Sequence, residues 1–182
     1  DREYYLDKAE GMVKYRTAYK AYVTKIFELL GDATPAASAD TVIKFETEVA
    51  KGHWKQEELR VTDKAFKAMD AAGFQKIVPN IDLAKFAADL GLPPLTNMVA
   101  YGDTSITAGA KLVDTQPLAA WKKYLAFHIA SDNASYLTKA FDDARFDFYN
   151  KTLSGVTVKR DRWKRGVQVI DRNIGEALGE AY

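Results

Sequence analysis

No cysteine occurs in the 182-residue chain, which removes disulfides, thiolate nucleophiles and cysteine-based zinc sites together. Histidine is nearly as scarce: His53 and His128 stand 75 positions apart. A His-Glu-x-x-His zinc site needs two imidazoles one helical turn apart, and this chain has no such pair. Charge of one sign is missing too, since 26 Lys and Arg oppose 25 Asp and Glu for a formal net charge of +1. No global field then draws the chain to nucleic acid or an anionic membrane, and any basic patch has to be local. Apolar runs stay at a few residues, far short of the roughly 20 needed to cross a bilayer, so no membrane segment is expected. There is no Gly-rich phosphate loop, no nucleophile elbow and no Ser-His-Asp constellation. The chain opens on Asp1-Arg2-Glu3-Tyr4-Tyr5 with neither an initiator Met nor a signal-peptide series, and so reads as an excised piece or a processed product.

What is present supports a packed core. Hydrophobic residues make up 47% of the chain and aromatics 12%, enough at this size to bury roughly 70% of the unfolded surface. The length suits one compact domain over residues 1–182. Met12, Tyr15, Tyr19, Tyr22, Val23, Ile26, Phe27 and Leu30 recur in steps of three and four, which predicts a helix stopping at Gly31. Thr34 to Ala39 reads as a small-residue connection, with Ser38 or Asp40 capping a second helix that carries Val42, Ile43, Phe45, Glu46 and Val49 on to Trp54. Lys55 to Lys67 predicts a helical, solvated segment, and Asp70 to Asn80, with Gly73 and Pro79, a loop or broken turn.

Asn80 or Asp82 then caps a short helix with Leu83, Phe86 and Leu90, closed by Gly91 to Pro94. Asn97 to Tyr101 is the one stretch with strand character, and no second strand is evident to pair with it. Ser105 to Val113 predicts a further short helix. Thr115 caps the next, with Pro117 in its first turn, and it runs to about Ser131 with Leu118, Trp121, Leu125, His128 and Ile129 on its inward stripe. Asn133 to Leu153 reads as another helix, stopped by Gly155, and the last carries Trp163, Val167, Ile170, Ile174 and Leu178 on one face. The fold class is therefore all-α: a packed domain of about seven helices with at most one short extended segment.

Chemistry is sparse. His53 with Glu46, Glu48 or Glu57 would hold a metal only if another ligand arrived from elsewhere, and His128 on an apolar stripe is more simply a hydrogen-bonded boundary imidazole. Asp142-Asp143 with Arg145 and Asp147 invites a paired-carboxylate reading, but adjacent helical residues diverge by about 100°, so a solvated face with local ion pairs is favoured. Lys159 to Arg165 mixes cations with Trp163 as a phosphate or strand-binding run would. The interposed Asp161 and the balanced net charge favour an exposed basic turn instead. Tyr15, Tyr19 and Tyr22 at helical spacing read as core with hydroxyls reaching its boundary, and Asn133-Ala134-Ser135 and Asn150-Lys151-Thr152 fit the glycosylation acceptor pattern.

Several blocks taken together carry a family likeness. They are Asp1-Arg2-Glu3-Tyr4-Tyr5, Phe45-Glu46, His53-Trp54, Trp121-Lys122-Lys123-Tyr124-Leu125, and the closing run from Arg162-Trp163-Lys164-Arg165-Gly166-Val167 to Gly175-Glu176-Ala177-Leu178-Gly179-Glu180-Ala181-Tyr182. In this order they resemble the amino-terminal helical region of the neprilysin-like zinc metallopeptidases, the family that includes endothelin-converting enzyme and bacterial oligopeptidases. The middle departs from that pattern: Phe66-Lys67-Ala68-Met69 replaces a Tyr-Asn-x-Met block, Val61 stands where an aspartate follows Arg60, and Ala71 to Asn80 has no clear counterpart.

The resemblance implies part of an enzyme: a helical wall or lid facing a carboxy-terminal catalytic domain across a closed cavity. Such a wall admits peptides, positions them and excludes water. It implies no catalytic or metal residue in this chain, zinc bound by the complete parent, a peptide substrate there, and a periplasmic or extracellular location. In the parent a zinc-bound water activated by glutamate would attack the scissile carbonyl. Arg60 and Asp63 are the candidates to line the cavity. The competing expectations are a free-standing helical module that binds a peptide or protein, and an autonomous metalloenzyme with zinc at His53 or His128. A large uncovered apolar patch is what separates a severed part from a self-standing module.

Overall fold

A computed structural model describes residues 2–181, with Leu178 and Ala181 defined through the backbone alone. The predicted position of Leu178 on the last stripe, and Tyr182 in the closing block, fall outside the described side chains. The elements run α1 (Glu3–Leu6), α2 (Glu10–Leu29), α3 (Pro35–Gly52), α4 (Gln56–Leu59), α5 (Thr62–Ala65), β1 (Phe66–Asp70), α6 (Ala71–Ile77), α7 (Leu83–Asp89), β2 (Asn97–Tyr101), α8 (Asp103–Thr115) and α9 (Leu118–Asp132). A 3-10 turn (Ala134–Tyr136), α10 (Lys139–Arg145), a π turn (Phe146–Thr152) and α11 (Arg162–Ala181) complete the chain.

The mostly helical class holds, but about seven helices become eleven among the described residues, and the one extended segment becomes a two-stranded antiparallel sheet. β2 finds its partner in β1, where Phe66 lies opposite Tyr101 and Asp70 opposite Asn97. The solvated helix read over 55–67 is therefore two single turns running into a strand, because the Phe66–Tyr101 ring pair, 4.6 Å between centroids, outweighs local propensity.

Local chemistry accounts for the other differences. α3 starts at Pro35 and not after Ser38: proline suits the first helical position, and Ser38 is free to donate to Asp32 at 2.8 Å. The loop read over 70–80 holds α6, capped by Asp70, which accepts from the Gly73 amide at 2.7 Å. Gln75 secures the turn after it by donating to the Val78 and Ile81 carbonyls at 3.0 and 2.8 Å, so Pro79 ends the helix without loosening the chain. Of the two caps weighed for α7, Asp82 serves, accepting from the Lys85 amide at 2.9 Å. Thr115 closes α8 and Pro117 caps α9.

The stretch read as one helix over 133–153 is broken: the 3-10 turn ends at an extended Leu137, and past Arg145 the chain widens into the π turn, where the Leu153 amide donates five residues back to the Phe148 carbonyl at 3.0 Å. Gly155 follows at φ +69°, as the stop signal predicted.

The main core joins α2, α3, α9, α10 and the π turn around Val23, Ile26, Phe27, Val42, Phe127, Phe141 and Phe148. Tyr22 stacks on Phe148 at 5.2 Å and 9°. A smaller cluster of Val78, Leu83 and Ala110 joins α6, α7 and α8. The stripe assigned to α9 is largely turned outward: Leu118, Leu125 and Ile129 are 68%, 50% and 63% exposed, while Ala120, Phe127 and Ala130 are buried. The helix is apolar around most of its circumference, so periodicity could not choose a face. On α11, Trp163, Val167, Ile170 and Ile174 are all exposed, and the helix breaks at Ile174 (φ −140°, ψ 37°).

Candidate functional site

Glu46 sits in the apolar stripe of α3, where the 3.6-residue period carries it inward with Val42 and Phe45. Its carboxylate is 7% exposed, and burying a charge demands partners. Three arrive from three elements: Tyr5 of α1 donates to Oε2 at 3.2 Å, Tyr19 of α2 donates to Oε1 at 2.9 Å, and Nε2 of His128 on α9 meets Oε1 at 2.9 Å. Glu46 and His128 lie on the wall of a cavity of about 320 Å³. Its remaining walls are mostly aromatic, with Tyr4, Tyr15, Phe148 and Tyr149, and Arg16 and Leu153 also border it.

The electrostatics follow from that placement. Burial pushes the Tyr19 and Tyr5 phenols well above their ordinary range, and the charge of Glu46 adds to the shift. Tyr149 and Tyr124 are raised by burial in the same way. These phenols remain protonated donors at any physiological pH. The arrangement is a buried carboxylate held by hydroxyls and an imidazole within an aromatic cage. His128 is thus a boundary histidine bonded to a carboxylate, as read, and of the tyrosine stripe Tyr22 lies in the core and Tyr19 packs against it, while Tyr15 borders the cavity without joining the core. Tyr22 is 4% exposed and shares a 2.8 Å hydrogen bond with Ser131.

His53 is not brought to Glu46. It is exposed at the end of α3, where its carbonyl accepts from Arg2 at 2.9 Å, and Glu48 pairs with Lys51 at 2.7 Å. No group of three or more His, Asp or Glu among the described residues is placed to hold a metal ion. Arg60 ends α4 and Asp63 lies in the first turn of α5, both exposed.

The two acidic residues of α10 are more than a local face. Asp142 takes Arg165 at 3.0 Å and Lys159 at 2.6 Å, and Asp143 takes Lys139 and Lys159, the latter at 3.0 Å. The Lys139 and Lys159 ammoniums, bonded to Asp143, hold its carboxyl below the usual range. Part of the basic run is therefore committed to fastening the 159–165 segment to α10. Arg145 donates to the Ser131 carbonyl at 3.2 Å and lies over Tyr149, while Asp147 pairs with Lys151 at 3.7 Å. Asn133 is exposed and donates to the Ile129 carbonyl at 2.8 Å.

Sequence reasoning missed Glu46 as the hub. The available signal was a single carboxylate within an apolar stripe, since such a residue is buried only with partners.

The profile of Peptidase family M13 matches residues 1–182. Human endothelin-converting enzyme 1 is 26% identical over 188 aligned residues, which take in 100% of this chain and 24% of that enzyme. Neprilysin-11 of Caenorhabditis elegans is 24% identical over 197 residues, covering 100% of this chain and 23% of its own. Among solved structures, the zinc metalloprotease Zmp1 of Mycobacterium tuberculosis in its open state aligns with a TM-score of 0.91 and 28% identity, over 100% of this chain and 29% of that one. The same protease bound to an inhibitor also gives 0.91, and its partial open state 0.80. The chain spans about a quarter of the length of the curated relatives it matches.

Proposed function

Because the chain belongs to peptidase family M13, we propose that it serves as a non-catalytic helical region of a zinc metalloendopeptidase, forming part of the wall or lid that restricts and positions peptide substrates. The observation that carries this reading is the set of uncovered apolar residues on α9 and, separately, on α11. Leu118, Leu125, Ile129, Trp163, Val167, Ile170 and Ile174 are each between 45% and 68% exposed, and extended apolar surface of this kind marks a surface built to be covered. The relatives are about four times as long as this chain. In a parent of that size, the carboxy-terminal catalytic domain is the partner for those exposed residues, and residues 1–182 are one piece of the helical domain opposite it.

Zinc belongs to the catalytic part. His53 is exposed and His128 is engaged with Glu46, so the residues of this chain do not fit a zinc site and take no step in metal chemistry. The chain alone is inactive on this reading. Its contribution is selection by size, exclusion of bulk water and positioning of the peptide. Arg60, at the end of α4, and Asp63, in the first turn of α5, are both exposed and are assigned to the cavity side. Family habit puts the parent in the periplasm or outside the cell, and no helix among the described residues is long and apolar enough to cross a membrane.

The test uses the intact parent and a ladder of peptides of increasing length. Replacing Arg60 and Asp63 by alanine is expected to shift the preferred length several-fold in kcat/KM, and an unchanged length profile removes them from the cavity wall. An antibody against the chain should detect a band several times larger than 20.3 kDa in its source. A band at 20.3 kDa would replace this reading with a free-standing helical binding module.

A further inference from the structure

The Glu46 cavity raises a question that the cavity-wall role leaves unanswered: what balances its charge. Among the described residues the ion pair made to Glu46 is with His128, which carries a charge only when protonated. Tyr5 and Tyr19 contribute neutral hydroxyls. Arg16 borders the cavity, but its Nη1 donates to the Tyr4 carbonyl at 3.0 Å. The groups facing the carboxylate are thus Tyr5 from α1, Arg16 and Tyr19 from α2, Tyr124 and His128 from α9, and Tyr149 from the π turn. None of them sets a permanent cation against Glu46 within ion-pair distance.

The walls around that carboxylate have their own chemistry. The rings of Tyr4, Tyr15, Tyr19, Phe148 and Tyr149 line this open pocket, with Tyr4 against Tyr15 at 6.3 Å and Tyr19 against Phe148 at 5.3 Å. Aromatic faces attract a cation through their quadrupole, and more strongly when it is desolvated. About 320 Å³ is at the lower end of ligand-cavity volumes, room for a short chain and not for a peptide backbone with several side chains. A buried carboxylate beside aromatic walls suits a cationic head on an apolar stem.

We propose that the cavity bounded by Glu46, His128 and the surrounding tyrosines binds a primary alkylammonium group on a short apolar stem, with the ammonium on Glu46 and the stem between the rings. Two sources offer that chemistry, a free amine and the lysyl side chain of a peptide. The site is independent of the role assigned to Arg60 and Asp63, so either proposal can fail without the other.

The test is isothermal titration calorimetry on the intact protein at pH 8.5. The probes are n-butylammonium chloride, 1-butanol as its neutral counterpart, and Nα-acetyl-lysine amide. Butylammonium is expected to bind at least about 10-fold more tightly than butanol, and Glu46→Gln to abolish most of that ratio. Tyr4→Ala is the second variant: Tyr4 is 45% exposed, so folding does not hinge on it, and loss of one cage wall should weaken butylammonium several-fold. Equal binding of the acetylated lysine assigns a peptide source, and binding of butylammonium alone assigns a free amine. A butylammonium-to-butanol ratio near one overturns the site. So does butylammonium binding unchanged by both folded variants, or by Tyr4→Ala alone where Glu46→Gln fails to fold.

Discussion

Tyr22 and Asp32 show how single polar groups tie this core together and what pH does to them. Burial, partly offset by the hydrogen bond with Ser131, pushes the Tyr22 phenol up to about 12 from an ordinary value near 10. The folded state then holds a proton that the unfolded chain gives up first. This stabilisation is complete below pH 10 and is lost as pH rises toward 12. Urea midpoints should stay level from pH 7 to 9 and fall between 10 and 12. Tyr22→Phe should make that fall shallower and cost about 1 kcal/mol at neutral pH, for the bond to Ser131. Asp32 works in the other direction. Lys123, the Thr34 amide and the Ser38 hydroxyl hold its carboxyl down to about 2. Its contribution is present above the unfolded value near 4 and disappears as pH falls toward 2. Asp32→Asn should therefore flatten the acid side of the stability profile, read by denaturant unfolding at pH 2 to 5.

Between elements, close approach and capping decide more than propensity. Gly52, in the last turn of α3, lies so near α8 that an added Cβ would stand 2.5 Å from the Cβ of Ala108. Glycine to alanine within a helix normally gains up to about 1 kcal/mol. Here the gain should be reversed, with Gly52→Ala destabilising by about 1–3 kcal/mol as α3 and α8 are forced apart, measurable as a fall in the chemical denaturation midpoint. The glycine that weakens the helix by sequence rules is thus the one that admits its neighbour. Asp70 links two elements, ending β1 and capping α6. Asp70→Ala should cost about 1 kcal/mol and be partly restored by Asp70→Asn, which keeps an acceptor. The sheet has a buried side at Ala100 and an outer side where Phe66, Val99 and Tyr101 are exposed, which explains why it reads poorly as a strand pair: only one of its faces has a core to pattern it.

For the molecule as a whole, the distribution of apolar surface matters most. The core gathers around α2, α3, α9 and α10, while Leu125 and Ile129 on the far side of α9 remain 50% and 63% exposed. The chain prepared by itself should self-associate through that side, visible as concentration-dependent sedimentation. Replacing both residues by glutamate should restore a monomer and leave the folding transition nearly unchanged, because neither side chain belongs to the core. A monomer at all concentrations in the unaltered chain would count against a surface that needs covering.

Much of this was legible residue by residue. The α2 stripe, the cap at Asp82, the glycine stop at 155, the tyrosine stripe and the family likeness all rest on local spacing or local chemistry, which the chain carries wherever it folds. Absence of a His-Glu-x-x-His pair was equally plain. What needed the tertiary structure was every choice among faces and partners. α9 is apolar on most sides, so only packing against α2 and α3 decides that Phe127 goes in and Leu125 stays out. β1 became a strand because Tyr101, 35 residues on, supplies its cross-strand partner. Glu46 became the hub of a cavity because α1, α2 and α9 bring Tyr5, Tyr19 and His128 to one carboxylate from positions up to 82 residues away. Short-range periodicity records which residues avoid water; which of them meet is set by the three-dimensional arrangement that buries a charge only where donors converge on it.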